Sequence, residues 1–162
     1  LVIGIGKLSN IIFHVDKPKS PSYVVEIENV VTASTQLTSE TIEEKIDIAT
    51  LIALGDLAHG EKIFKKCAAC HSIVKDGKNN IGPALYNVVG RKVGSISDYK
   101  YSKALSEYKK EWTFEELNGY LIKPTKWIKG TKMAFAGLRK EKDRASVIKY
   151  LNQNSDNPLP LP

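Results

Sequence analysis

Cysteine is nearly absent: the 162 residues contain two, Cys67 and Cys70. Two cysteines cannot build a disulfide framework, and a lone zinc site would need more thiolate or imidazole ligands than this pair supplies. Methionine is scarcer still, with Met133 alone in the whole chain. Low-complexity tracts, blocks of like charge and internal repeats are also missing, which excludes solenoids and polyelectrolyte tails. Residues 1–13 are mostly apolar but are interrupted by Lys7 and Asn10. They fall short of the roughly 20 apolar residues that a membrane span requires. They also lack the basic start, longer apolar centre and nearby small-residue cleavage site of a signal peptide. Instead Phe13 leads into a polar, proline-punctuated linker, His14 to Pro21.

What is present suffices for one compact domain plus some extra sequence: 42% hydrophobic residues for a core and 26% charged residues for a soluble surface. The net charge of +6 conceals an asymmetry. From Gly55 onward there are 20 Lys and Arg against 11 Asp and Glu, whereas residues 1–54 carry 4 against 7. The C-terminal part is therefore a basic domain whose expected partners present acidic surfaces. Nucleic acid is the competing partner for a basic domain. No recognition helix or repeated aromatic stacking platform supports it, so no nucleic acid is expected.

Residues 1–13 read as the trailing part of a membrane anchor helix whose first half would precede them. The competing reading is an apolar segment that packs on its own domain. Residues 14–54 form a linker: Tyr23 to Val31 suits a short extended segment, and Thr38-Ser39-Glu40 opens a helical pattern. Its stripe of Ile42, Ile46, Ala49 and Ile52 or Ala53 has helix spacing and ends at Gly55. Residues 55–152 form the main domain. Asp56 caps a helix that runs to the cysteines. Thr113 and Glu116 make a capping box for a helix ending before Pro124. Lys140 to Asn152 is a final helix with Val147, Ile148 and Leu151 turned inward. Residues 153–162, with Pro158 and Pro160, read as a loose tail. No convincing strand alternation follows residue 54, so the expected fold is all-α.

The sequence Cys67-Ala68-Ala69-Cys70-His71 carries the chemistry. Two thiols at this spacing can form thioethers to the two vinyl groups of one haem, and the adjacent His71 then faces the iron. A redox dithiol of the thioredoxin type needs the same two cysteines in a βαβ setting, which this chain lacks. One covalent haem c is therefore expected. The sixth iron position has three candidates. Met133 lies in a Gly-bounded loop, Gly130 to Gly137, beside Lys132, a poor place to bury a core methionine. His14 lies in the linker. His59 shares a helix with the attachment site and cannot readily reach the far haem face. Met133 is the favoured ligand; it would close the iron and restrict it to electron transfer, against a peroxidase or gas sensor with an open site.

From Gly55 onward the chain resembles a class I cytochrome c of the mitochondrial and α-proteobacterial type. The resemblance rests on Gly60 to His71, Gly82-Pro83-Ala84-Leu85, Gly90-Arg91-Lys92-Val93-Gly94, Trp112, and Gly130 to Gly137, which fall in the family's order and spacing. The N-terminal third resembles membrane-anchored bacterial members, which place an uncleaved helix and an acidic linker before the haem domain.

The resemblance implies a cytochrome c fold around one covalent haem and a role for each matching residue. Pro83 would accept a hydrogen bond from His71. Tyr101 and Trp112 would bind a buried haem propionate, with Arg91 offsetting its charge. Tyr120 and Thr131 would surround Met133. Gly60, Phe64 and Tyr150 would form the crossing of the first and last helices. Lys65, Lys66, Lys78, Lys126, Lys132 and Lys140 resemble the lysine ring around the exposed haem edge. The implied function is electron carriage from a quinol-cytochrome c reductase to cytochrome c oxidase, both with acidic docking faces. The implied location is a bacterial inner membrane, with the haem domain in the periplasm. A cytochrome subunit fixed in a larger respiratory complex, docked through the helix at 39–54, is the alternative. Leu105, Lys129 and Thr125 depart from the mitochondrial pattern, where asparagine, proline and lysine stand.

Overall fold

The computed structural model describes residues 47–162. The expected anchor of residues 1–13, the linker, and the helix start at Thr38 to Glu40 lie outside the described residues. Six helices follow in order: α1 (Ile48–Ala53), α2 (Leu57–Ala68), α3 (Lys103–Ser106), α4 (Phe114–Ile122), α5 (Pro124–Trp127) and α6 (Glu141–Gln153). Among the described residues there is no strand, only an isolated antiparallel bridge between Lys92 and Glu111. The all-α expectation holds.

Four of the six helices start where a side chain supplies an acceptor, whereas α5 and α6 open without one. Asp56 Oδ1 accepts from the His59 N–H (2.7 Å) to open α2, and Thr113 Oγ1 accepts from the Glu116 N–H (3.2 Å) to open α4. Such caps satisfy donors that the first turn leaves free, each worth about 1 kcal/mol. The capping box at α4 is only half formed. Glu116 turns its carboxylate to Tyr108, Lys110 and Trp127 instead of back to the Thr113 N–H. Lys123, in extended conformation before Pro124, ends α4 as expected.

The helical stripe that begins at Thr38 does not run unbroken to Gly55. Asp47 has an extended backbone (φ −54°, ψ 136°) and caps α1 with its own side chain. Leu51 and Ile52, each 1% exposed, sink into the core against α6. This helix therefore belongs to the body of the domain, and its buried face is not free to dock elsewhere.

The core is organised around the crossing of α2 and α6. A Cβ on Gly60 would collide with the Ser146 carbonyl, so only glycine lets the two backbones approach this closely. Phe64 and Tyr150 meet beside it with ring centroids 5.4 Å apart. Ile148 and Leu151 are buried on the same helix, and burying side chains of this size stabilises by about 1.5–3 kcal/mol each. The segment after α6 is tied down, contrary to the loose tail its prolines suggest. Asn152 Oδ1 accepts from the Leu159 N–H and its Nδ2 donates to the Leu159 carbonyl.

Candidate functional site

The last turn of α2 delivers the two cysteines. The N–H groups of Cys70 and His71 both donate to the Cys67 carbonyl at 3.0 Å, so one tight turn carries both thiols and the imidazole. Burial pushes the Cys67 thiol up to about 11, outweighing the neighbouring Lys66 charge, while Cys70 adds to the rise. A redox dithiol needs the opposite, a thiol pulled down until it ionises near neutral pH. Cys67 is therefore poorly suited to dithiol redox chemistry.

His71 is held by the following loop. Its Nδ1 lies 2.7 Å from the Pro83 carbonyl, which can only accept, so the proton is on Nδ1 and the Nε2 lone pair is free. Gly82 lies so close to the imidazole that any Cβ there would overlap the ring. Burial lowers the basicity of His71; the Pro83 carbonyl opposes this and the Arg91 charge adds to it, and the balance falls below the usual histidine value. A neutral imidazole with one oriented lone pair is what a metal ligand requires.

Arg91 braces the same loop, donating from Nη1 to the Tyr86 carbonyl (3.1 Å) and from Nη2 to the Ala84 carbonyl (3.0 Å). Burial raises the Tyr101 hydroxyl above its ordinary value, and the Arg91 charge pulls it partly back. The bridge at Lys92 and Glu111 fixes Trp112, whose backbone N–H donates to the Arg91 carbonyl. Its ring lies 4.9 Å from that of Tyr120.

Tyr120 and Thr131 share a hydrogen bond of 2.8 Å, and the Met133 N–H donates to the same Thr131 Oγ1 (3.2 Å). The segment that carries Met133 is fixed at both ends. Gly130 and Gly137 take positive φ (89° and 95°), and the Leu138 N–H donates to the Leu121 carbonyl (2.8 Å). Arg144 adds bonds to the Leu138 and Arg139 carbonyls and to Asn118. Cys67, Leu85, Tyr101, Met133 and Phe135 all pack half-buried against the one core. Of the rival ligands, His59 is engaged with Asp143 (2.8 Å) at the helix crossing, and His14 lies outside the described residues.

This constellation fits covalent haem: paired thiols on one turn, a neutral imidazole with a free nitrogen, an apolar lining, and a glycine where a side chain would intrude. Sequence reasoning missed three supports. Asn79 Oδ1 accepts from the Ala84 N–H (2.8 Å), Tyr99 OH donates to the Ile81 carbonyl (2.7 Å), and the segment after α6 reaches back to this loop through Asp156. Gly82-Pro83 gave a signal for the loop; nothing in the spacing pointed to its anchors. Lys65, Lys66, Lys78, Lys126, Lys132 and Lys140 are exposed, and none forms an ion pair among the described residues.

The family model described as Cytochrome c matches residues 57–155. A cytochrome c homolog of Rickettsia prowazekii is 39% identical over 151 residues, covering 91% of this chain and 83% of that protein. A cytochrome c homolog of Bradyrhizobium diazoefficiens is 34% identical over 160 residues, covering 95% and 84%. A cytochrome c of Gibberella zeae is 48% identical over 105 residues, covering 64% of this chain and 99% of that protein. Among solved structures, cytochrome cH from Methylobacterium extorquens is similar with a TM-score of 0.58 and 40% identity, covering 61% of this chain and 99% of that one.

Proposed function

We propose that this chain, which belongs to the cytochrome c family and carries covalent haem c, moves single electrons from a quinol-cytochrome c reductase to a terminal oxidase. Relatives in this family are electron carriers and not enzymes. The observation that carries the reading is the Nδ1–H of His71 bonded to the Pro83 carbonyl at 2.7 Å, directly after the two cysteines. It fixes the tautomer and leaves Nε2 as the nitrogen that would hold the iron.

Cys67 and Cys70 attach the haem. His71 and Met133 would hold the iron in this reading. When bound, the haem supplies an iron that cycles between ferric and ferrous states. The Met133 thioether would favour the ferrous state and exclude exogenous ligands, which would separate a carrier from a peroxidase or gas sensor. Thr131 and Tyr120 hold the Met133 backbone in place. Trp112, Tyr101 and Arg91 would serve a propionate, with Trp112 buried beside Tyr120. The exposed lysines steer encounter with acidic partners. A tether through residues 1–13 to the outer face of a bacterial inner membrane belongs to the same proposal.

Haem retention tests it. The denatured protein should keep its haem, because thioethers survive unfolding, and Cys67→Ala with Cys70→Ala should lose it. Haem that acidified organic solvent extracts from the unmutated protein would end this reading.

A further inference from the structure

The segment after α6 reaches back to the His71 loop through one carboxylate. Asp156 Oδ1 accepts from Lys75 Nζ (2.5 Å) and from Tyr86 OH (3.1 Å), and its Oδ2 accepts from Asn87 Nδ2 (3.1 Å). The contact is reciprocal: the Asp156 N–H donates to Asn87 Oδ1 (2.7 Å), and the Asn87 N–H donates to the Asn154 carbonyl (3.0 Å). Asn87 takes φ 57°, a left-handed conformation that asparagine tolerates better than most residues.

Lys75 precedes Pro83 in the loop, whereas Tyr86 and Asn87 follow it. One carboxylate thus joins the two limbs of a segment without regular structure, and Pro83 lies between them. We propose that Asp156 is a positioning residue for the His71 side of the haem: it clasps the loop shut, keeps the bond from His71 Nδ1–H to the Pro83 carbonyl short, and thereby lowers the reduction potential. The inference rests on His71 being an iron ligand, as proposed above.

The physical chain is short. A carbonyl that accepts strongly from Nδ1–H makes the imidazole a more basic ligand. A more electron-rich ligand favours ferric over ferrous iron. Each bond of the clasp is exposed and adds little to global stability. Its effect lies in where the loop sits, since Arg91 braces Ala84 and Tyr86 from within while Asp156 holds the solvent side.

The test uses the holoprotein with Asp156→Ala, Lys75→Met and Tyr86→Phe, after covalent haem is verified in each. Midpoint potential is measured at high salt, and the His71 ring N–H resonance is followed by NMR. Through-space Coulomb effects alone would raise the potential for Asp156→Ala and lower it for Lys75→Met, since the two remove opposite charges. A slackened clasp raises it for both. Tyr86→Phe, which changes no charge, gives a smaller rise. The ring N–H signal moves upfield in all three as its hydrogen bond lengthens. Potentials that move in opposite directions for Asp156→Ala and Lys75→Met overturn the proposal, as do a potential and ring signal unchanged in all three. Unmutated protein without covalent haem would instead overturn the functional reading on which the proposal stands.

Discussion

His71 has two ring nitrogens, and the Pro83 carbonyl occupies one of them, so only Nε2 can meet an iron. Met133 is the proposed opposite ligand, and placement favours it over His59. Asp143 engages His59 at the α2–α6 crossing, while Met133 sits on a segment pinned at Thr131 and Leu138. Met133→Ala should therefore abolish the weak far-red sulfur-to-iron band of the oxidised protein. It should also lower the midpoint potential by on the order of a tenth of a volt or more, within the ~0.8 V span that axial ligation commands. Absorbance and redox titration read both. Carbon monoxide that binds readily to the unmutated reduced protein would show an open sixth position and rule out Met133.

Among the elements, α4 illustrates how one side chain can serve several neighbours. Glu116 sits in its first turn and accepts from Tyr108 OH (2.7 Å), Trp127 Nε1 (2.9 Å) and Lys110 Nζ, drawing α5 and the segment before α4 onto the helix. Burial raises the Glu116 carboxyl, but the bonds from Lys110, Tyr108 and Trp127 outweigh it and leave the group below the usual carboxylate value. A depressed folded value means that this contribution is complete above the unfolded glutamate value of about 4.3 and is lost as pH falls through the folded value. Glu116→Gln should cost about 1–2 kcal/mol at neutral pH, the scale of hydrogen bonds to a charged group. It should also flatten the loss of stability below pH ~4.3. Denaturant unfolding across the acid range reads this; a variant whose acid limb parallels that of the unmutated protein would remove Glu116 from the account.

For the whole molecule, charge and the proposed tether each make a testable demand. The basic C-terminal part and the six exposed lysines should speed association with acidic partners, and salt should screen that attraction over a Debye length of ~8 Å at physiological ionic strength. Reversing Lys66, Lys126 and Lys132 to Glu should slow electron delivery to an oxidase chiefly through the association rate, roughly tenfold or more at low salt. Stopped-flow kinetics against ionic strength checks this, and a rate indifferent to both salt and reversal would contradict steering. The tether is tested separately. Full-length protein should stay in membranes through high-salt and carbonate washes and be released by detergent. Protein that washes off with salt would leave residues 1–13 as a packing segment.

The haem motif, the capping residues and the helical class were legible because each is a local matter. A thioether pair needs a fixed spacing and a cap needs one acceptor before a helix, while the family resemblance supplied the glycine at the helix crossing. Asp56, Thr113 and Gly60 all behave as their positions require. Long-range pairings were not legible, because spacing says nothing of which surfaces meet. The sequence pattern ran a helix through Asp47, yet a cap there separates α1, and packing against α6 draws Leu51 and Ile52 inward. It offered Glu116 as a reciprocal cap, whereas three donors from elsewhere hold its carboxylate. It read prolines after residue 152 as a loose tail, whereas Asn152 and Asp156 tie that segment to Leu159 and to the His71 loop. The covalent chemistry is set by neighbours along the chain. How His71 is aimed depends on Pro83, 12 positions on, and what holds its loop includes Asp156, 69 to 81 positions from its partners, which only the folded chain brings together.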